Sequence, residues 1–151
     1  MNWYKKAQFS YTTDEDRVTI SSPYGSVVIT ETSPRYEFIE DLTPEEFEQI
    51  GVDEDEWIIK IEHIEVNPNN RGQGYGTALM KEAMKEIAKR NINYIYLNAS
   101  PMGFDGLPLE ALTKFYEKFG FNVIKKQEGN NLMGINNPQL PQKTPNNEEI
   151  N

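Results

Sequence analysis

The stretch Val66-Asn67-Pro68-Asn69-Asn70-Arg71-Gly72-Gln73-Gly74-Tyr75-Gly76-Thr77-Ala78-Leu79 decides how this chain is read. Before it, residues 56–66 hold Trp57, Ile58, Ile59, Ile61, Ile64 and Val66, apolar on both faces as a central strand requires. Asn67-Pro68-Asn69-Asn70 stops that strand. After it, Leu79, Met80, Ala83, Met84, Ile87 and Ala88 recur with helical period over residues 77–90. Lys81, Glu82, Lys85 and Glu86 fall on the opposite, wet face, and Glu86 stands four residues before Arg90. Between strand and helix lies Arg71-Gly72-Gln73-Gly74-Tyr75-Gly76. So little side-chain bulk at a strand-to-helix turn lets backbone N–H groups point at a phosphate, and the helix dipole adds positive potential. Arg71 adds a fork of donors. The physics predicts a phosphorylated ligand without saying which.

Working outward, residues 93–98 read as a short strand, which makes strand, loop, helix and strand a βαβ unit with a right-handed crossover. Residues 100–107, with Pro101, Met102 and two Gly, read as a loop. Pro108 opens a second helix with Leu112, Phe115, Tyr116 and Phe119 on its apolar side and Gly120 at its C-terminal cap. Residues 121–126 and 132–135 pair around the turn Glu128-Gly129-Asn130-Asn131. Toward the N-terminus, residues 17–21 and 26–31 are strands split by Ser22-Pro23-Tyr24-Gly25, and residues 36–41 are a third. Thr43-Pro44-Glu45-Glu46 reads as a helix start, with the helix ending near Gly51. The prediction is one α+β (α/β) domain over residues 1–135. Residues 136–151, rich in Asn, Pro and Gln, read as a disordered tail.

Three kinds of phosphate loop compete for the glycines. A P-loop needs Gly-Lys followed by Ser or Thr, and residues 71–77 contain no Lys. A dinucleotide fingerprint needs G-x-G-x-x-G and an acidic residue ending the next strand, where this chain has G-x-G-x-G and Asn98. The third pattern is Arg or Gln, two residues, Gly, one residue, then Gly or Ala, and Arg71, Gly74 and Gly76 match it. A second block, Phe115-Tyr116-Glu117-Lys118-Phe119-Gly120-Phe121, follows in the matching order. On these two motifs, residues 57–124 resemble the GNAT superfamily of acetyl-CoA-dependent N-acetyltransferases. The two helices that many members carry after their first strand are not evident here.

The resemblance implies a mixed sheet of about six or seven strands, splayed between the fourth and fifth. The pantetheine of acetyl-CoA would lie in that gap against backbone near Ile64 and Val66. Its pyrophosphate would sit beside Arg71, on Gly72 and the N–H groups of Gln73, Gly74, Tyr75, Gly76 and Thr77. The implied reaction is acetyl transfer to a primary amine by direct attack in a ternary complex, with Tyr116 as general acid. Glu62 matches the usual position of a base. His63, the lone histidine, stands one residue on; strict alternation along the strand would put Lys60, Glu62, Ile64 and Val66 on one face and Ile61, His63 and Glu65 on the other. Where members often have a coenzyme-contacting Asn, this chain has Leu109, and Asn98 is offered as a pantetheine contact in its place. The competing reading is a catalytically inactive CoA-binding sensor or interaction module on the same fold.

Composition fits this picture. With 15 Lys and Arg against 24 Asp and Glu, the net charge is −9. That disfavours a nucleic-acid backbone and suits a cationic amine. There are no cysteines, so disulfides, thiolate metal sites and an acetyl-cysteine intermediate are excluded, and no metal is called for. No apolar run approaches the ~20 residues of a membrane span. The opening residues lack the pattern of a signal peptide. The expectation is a cytoplasmic protein without a membrane partner. A homodimer is compatible with the sequence and not required by it.

Overall fold

The computed structural model describes residues 9–34, 37, 41–53, 55–101 and 107–137. Among these residues, seven strands form one sheet: β1 (Ser10–Asp14), β2 (Arg17–Ser22), β3 (Gly25–Thr32), β4 (Ile58–Val66), β5 (Tyr94–Ala99), β6 (Asn122–Gln127) and β7 (Asn130–Asn136). Their spatial order is β1-β2-β3-β4-β5-β7-β6. Helices α1 (Pro44–Ile50), α2 (Tyr75–Ile87) and α3 (Leu109–Glu117) are joined to it, with a 3₁₀ turn at Pro68–Asn70. Every neighbouring strand pair is antiparallel except β4–β5, which is parallel and bridged by α2. This is the mixed sheet and the βαβ unit that the sequence predicts.

Each helix carries its own signals. Thr43 accepts from the Glu46 amide at 3.1 Å while the Glu46 carboxylate accepts from the Thr43 amide at 2.8 Å, a complete capping box. Gly51 ends α1 in the left-handed region, at φ 84°. The α2 side chains Leu79, Met80, Ala83 and Ile87 are buried, as their spacing requires. Glu86 pairs with Arg90 at 3.1 Å, and Arg90 reaches on to Glu31 at 2.7 Å. Gly120, at φ 99°, follows α3, and an added Cβ there would come within 2.6 Å of Ile135.

The sheet has two unequal faces. Against one, α2 and α3 bury Val18, Ile20, Val27, Ile29, Ile59, Ile61, Ile64, Val66, Ile95, Leu97 and Met133, with Leu112 and Tyr116 from α3. Against the other, the α1 region covers Leu42, Val52, Ile58, Tyr94, Tyr96 and Leu132. Adjacent β5 residues therefore point to opposite cores, as the two-residue strand period dictates.

Some expectations are corrected. Strand β1 carries no signal in the sequence, because all five of its residues are exposed and show no apolar alternation. It joins β2 through Glu15 and Asp16 alone, so no helices intervene. The strand expected over residues 36–41 lies largely outside the described residues, as do the loop at 102–106 and the tail from residue 138 on. Folded structure continues past Ile135: β7 runs to Asn136, and Asn137 is 1% exposed. The Asn137 side-chain amide lies 3.0–3.4 Å from the carbonyls of Ile87, Arg90 and Ile92, closing the end of α2. Among the described residues, no helix is long and apolar enough to cross a membrane.

Candidate active site

The site begins where β4 and β5 part. Their parallel ladder pairs Ile59 with Ile95, Lys60 with Tyr96 and Ile61 with Leu97, and goes no further. On its other edge β4 stays paired with β3 up to Val66 opposite Gly25. The last five residues of β4, 62–66, thus extend beyond the β5 ladder and open a gap in mid-sheet. The β3–β4 register shows why it opens there. Val28 pairs with His63 and Ile29 with Ile61, so Glu62 is an extra residue in a bulge. A bulge bends its strand and increases its local twist.

The same bulge overturns the alternation expected on β4. Ile59 and Ile61 face the α2–α3 core, and after the extra residue Ile64 and Val66 face it too. Ile64 and Val66 therefore do not share a face with Lys60, which lies against Tyr96 and pairs with Glu37 at 3.1 Å. Strict alternation fails because it assumes an unbroken ladder.

Beyond Val66 the chain enters the glycine loop. Gly72 and Gly74 take φ values of 76° and 85°, a region where other residues are strained. Gly74 is the N-cap of α2, so no side chain caps the helix. The first intrahelical bond runs from the Ala78 amide to the Gly74 carbonyl at 3.1 Å. Helix geometry leaves the amides of the first turn, Gly76 and Thr77 among them, without an intrahelical acceptor. Gln73 and Thr77 are exposed, and Gly76 is buried against the core. Arg71 donates from Nε to the Val66 carbonyl at 3.1 Å, so part of its fork braces the loop rather than reaching outward.

Tyr116 lies on the same core face as Ile64 and Val66, 4% exposed. Phe115 and Phe121 meet its ring edge-on, with centroids at 5.3 and 6.3 Å. Burial pushes its phenol well above the ordinary tyrosine range, so it stays protonated across neutral pH. Glu62 stands at the mouth of the gap, but its carboxylate is 3.6 Å from Arg17 on β2. That direction lies across β3, away from β5. The Asn98 side chain accepts from Asn130 at 2.7 Å on the face opposite Tyr116. The structure thus brings together Ile64, Val66, the residues 71–77 and Tyr116, and sets Asn98 apart.

A family model, the acetyltransferase (GNAT) domain, matches residues 38–123, more than half of the chain. The chain belongs to the GNAT acetyltransferase family. No curated protein matches it by sequence. Among solved structures, Arabidopsis thaliana NAA60 in complex with acetyl-CoA is 17% identical, with a TM-score of 0.54 over 80% of this chain and 76% of that one. AtaTR bound with acetyl-CoA is 14% identical, with a TM-score of 0.52 over 89% and 73%. Tetrahymena GCN5 is 16% identical, with a TM-score of 0.50 over 85% and 72%. At these identities the structural likeness establishes the GNAT fold, and the family match makes the chain an acetyltransferase by class.

One further residue shapes this GNAT site and was not singled out from the sequence. An added Cβ on Gly25 would come within 2.1 Å of the Glu65 carbonyl. Gly25 lets β3 press against the far end of β4 at the point where the loop leaves. Its signal was present as the last residue of a turn cluster, which sequence reading assigns to turn geometry rather than to close strand approach.

Proposed function

We propose that this GNAT protein binds acetyl-CoA along residues 62–66 of β4 and on the 71–77 loop, and transfers the acetyl group to a primary amine. The observation that carries this reading is the half-open strand: a β4 edge beyond the β5 ladder that runs directly into a glycine-lined helix N-terminus. The residues fit the coenzyme's chemistry. An extended amide-bearing chain suits a strand edge, and a diphosphate suits first-turn amides and the left-handed glycines. When bound, acetyl-CoA supplies an activated thioester carbonyl.

The chain's own residues supply the rest. Tyr116, protonated at neutral pH, donates its phenolic proton to the departing thiolate, and its phenolate takes back the proton that the attacking nitrogen loses as the amide forms. The chain has no cysteine to carry the acetyl group on sulfur, so attack within a ternary complex is the direct route. The binding of a bisubstrate analogue by NAA60 is in keeping with such a complex. Glu62 takes the proton of the incoming ammonium by exchanging Arg17 for it. Arg17 is more than half exposed, and an exposed ion pair is worth only ~0–1 kcal/mol, so the exchange costs little. The net charge of −9 draws cationic amines toward the protein.

The test is release of free CoA from acetyl-CoA across a panel of polyamines, lysine peptides and peptide N-termini. The proposal expects release that depends on both the protein and one class of amine. Tight coenzyme binding without release for any amine would contradict transfer and favour the CoA-binding module.

A further inference from the structure

The two-residue turn between β2 and β3 does more than reverse the chain. Ser22 braces it internally: the Ser22 hydroxyl donates to the Gly25 carbonyl at 3.2 Å and accepts from the Tyr24 amide at 3.1 Å. The braced turn then grips the glycine loop at both ends. At the entrance, the Asn67 amide donates to the Tyr24 carbonyl at 2.8 Å and the Asn67 side chain donates to the Pro23 carbonyl at 2.9 Å. At the exit, the Tyr24 ring lies stacked on Tyr75, the first residue of α2, with centroids 4.0 Å apart and planes at 15°. Gly25 makes this possible by letting the turn sit directly on the end of β4. Between the two grips, Gly72, Gln73 and Gly74 are exposed.

We propose that Tyr24 is a positioning residue for the coenzyme loop, an inference that rests on the acetyl-CoA reading above. By fixing Asn67 through its backbone and Tyr75 through its ring, it sets the distance across which residues 68–74 must arch. A glycine-rich loop held at both ends loses less conformational entropy when its amides close on a diphosphate. Tyr24 meets the loop at its two ends, through Asn67 and Tyr75, so its effect falls on coenzyme affinity and leaves chemistry alone.

The experiment is a double-substitution cycle read by calorimetry with acetyl-CoA, alongside melting temperature and kcat. Tyr24→Ala is expected to weaken acetyl-CoA binding about three- to tenfold, the ordinary worth of an aromatic pair. Its kcat at saturating coenzyme should be unchanged, and Tyr24→Phe should bind like wild type. Tyr75→Ala should weaken binding as well, and the two substitutions together should cost no more than the larger alone. Should Tyr24→Ala fail to fold, Tyr24→Leu, which keeps the bulk without the flat ring, is read in its place. Wild-type affinity in the Tyr24 variant, or full additivity with Tyr75→Ala, overturns the inference. A wild-type protein that binds no acetyl-CoA overturns the proposed function, and the clamp with it.

Discussion

The two halves of β4 share a strand but not a task. Ile59, Lys60 and Ile61 are paired on both edges, to β3 and to β5, and behave as ordinary sheet interior. Residues 63–66 keep their β3 partners and, with the bulged Glu62 before them, run on past the β5 ladder. The core-facing side chains hardly differ in burial: Ile59 and Ile61 are core residues, and so are Ile64 and Val66. What separates the halves is one inserted residue, Glu62, and the bend it puts into the backbone. A binding surface can thus be made by changing how a strand pairs, with no loss of the hydrophobic face that stabilises it.

The largest effect should come from the side chain beneath the open half. Tyr116→Phe keeps the ring and its edge-on contacts and removes one hydroxyl. We expect kcat to fall ~10²–10⁴-fold with little change in the KM for acetyl-CoA. Because burial raises the phenol's pKa above its ordinary value of about 10, loss of the acid should give the wild-type rate no falling limb below that pH. A variant as fast as wild type when chemistry limits turnover would reduce Tyr116 to a core aromatic and leave the open half without its proton donor.

A smaller effect tests the bulge itself. Deleting Glu62 would make the pairs Ile29–Ile61 and Val28–His63 consecutive, giving an unbroken β3–β4 ladder with Ile61, Ile64 and Val66 still alternating into one core. The deleted protein should fold with a similar melting temperature. Without the bend, its open half should lie closer to the line of β5, and acetyl-CoA affinity should drop about tenfold, some 1.4 kcal/mol. Unchanged affinity would separate the gap from the bulge.

That bulge also marks the limit of what the sequence reveals. The glycine loop, the α2 stripe, the Thr43-Pro44-Glu45-Glu46 helix start and the Glu86–Arg90 pair are local patterns, each written within a few residues of itself. They are legible, and the glycine loop together with the block around Tyr116 carries the family. The faces of Glu62, Ile64 and Val66 were misjudged because an extra residue in a ladder depends on the partner strand, which no local period records. Asn137 was read as tail for a related reason. Its neighbours have the composition of a disordered segment, and its role as a cap on α2 exists only once β7 has carried it there. The exposed β1 lacks any apolar code. Asn98 looked available at the end of β5, and only the folded sheet shows it tied to Asn130.

The central claim is that acetyl-CoA occupies the open half of β4 and not the paired half. Amide hydrogen exchange with and without acetyl-CoA tests it most directly. The account predicts slowed exchange within residues 62–66 and 71–77 on adding the coenzyme, with residues 59–61 unchanged because β3 and β5 already protect them. Exchange that does not slow in either open segment, or that slows equally in both halves of the strand, would contradict it.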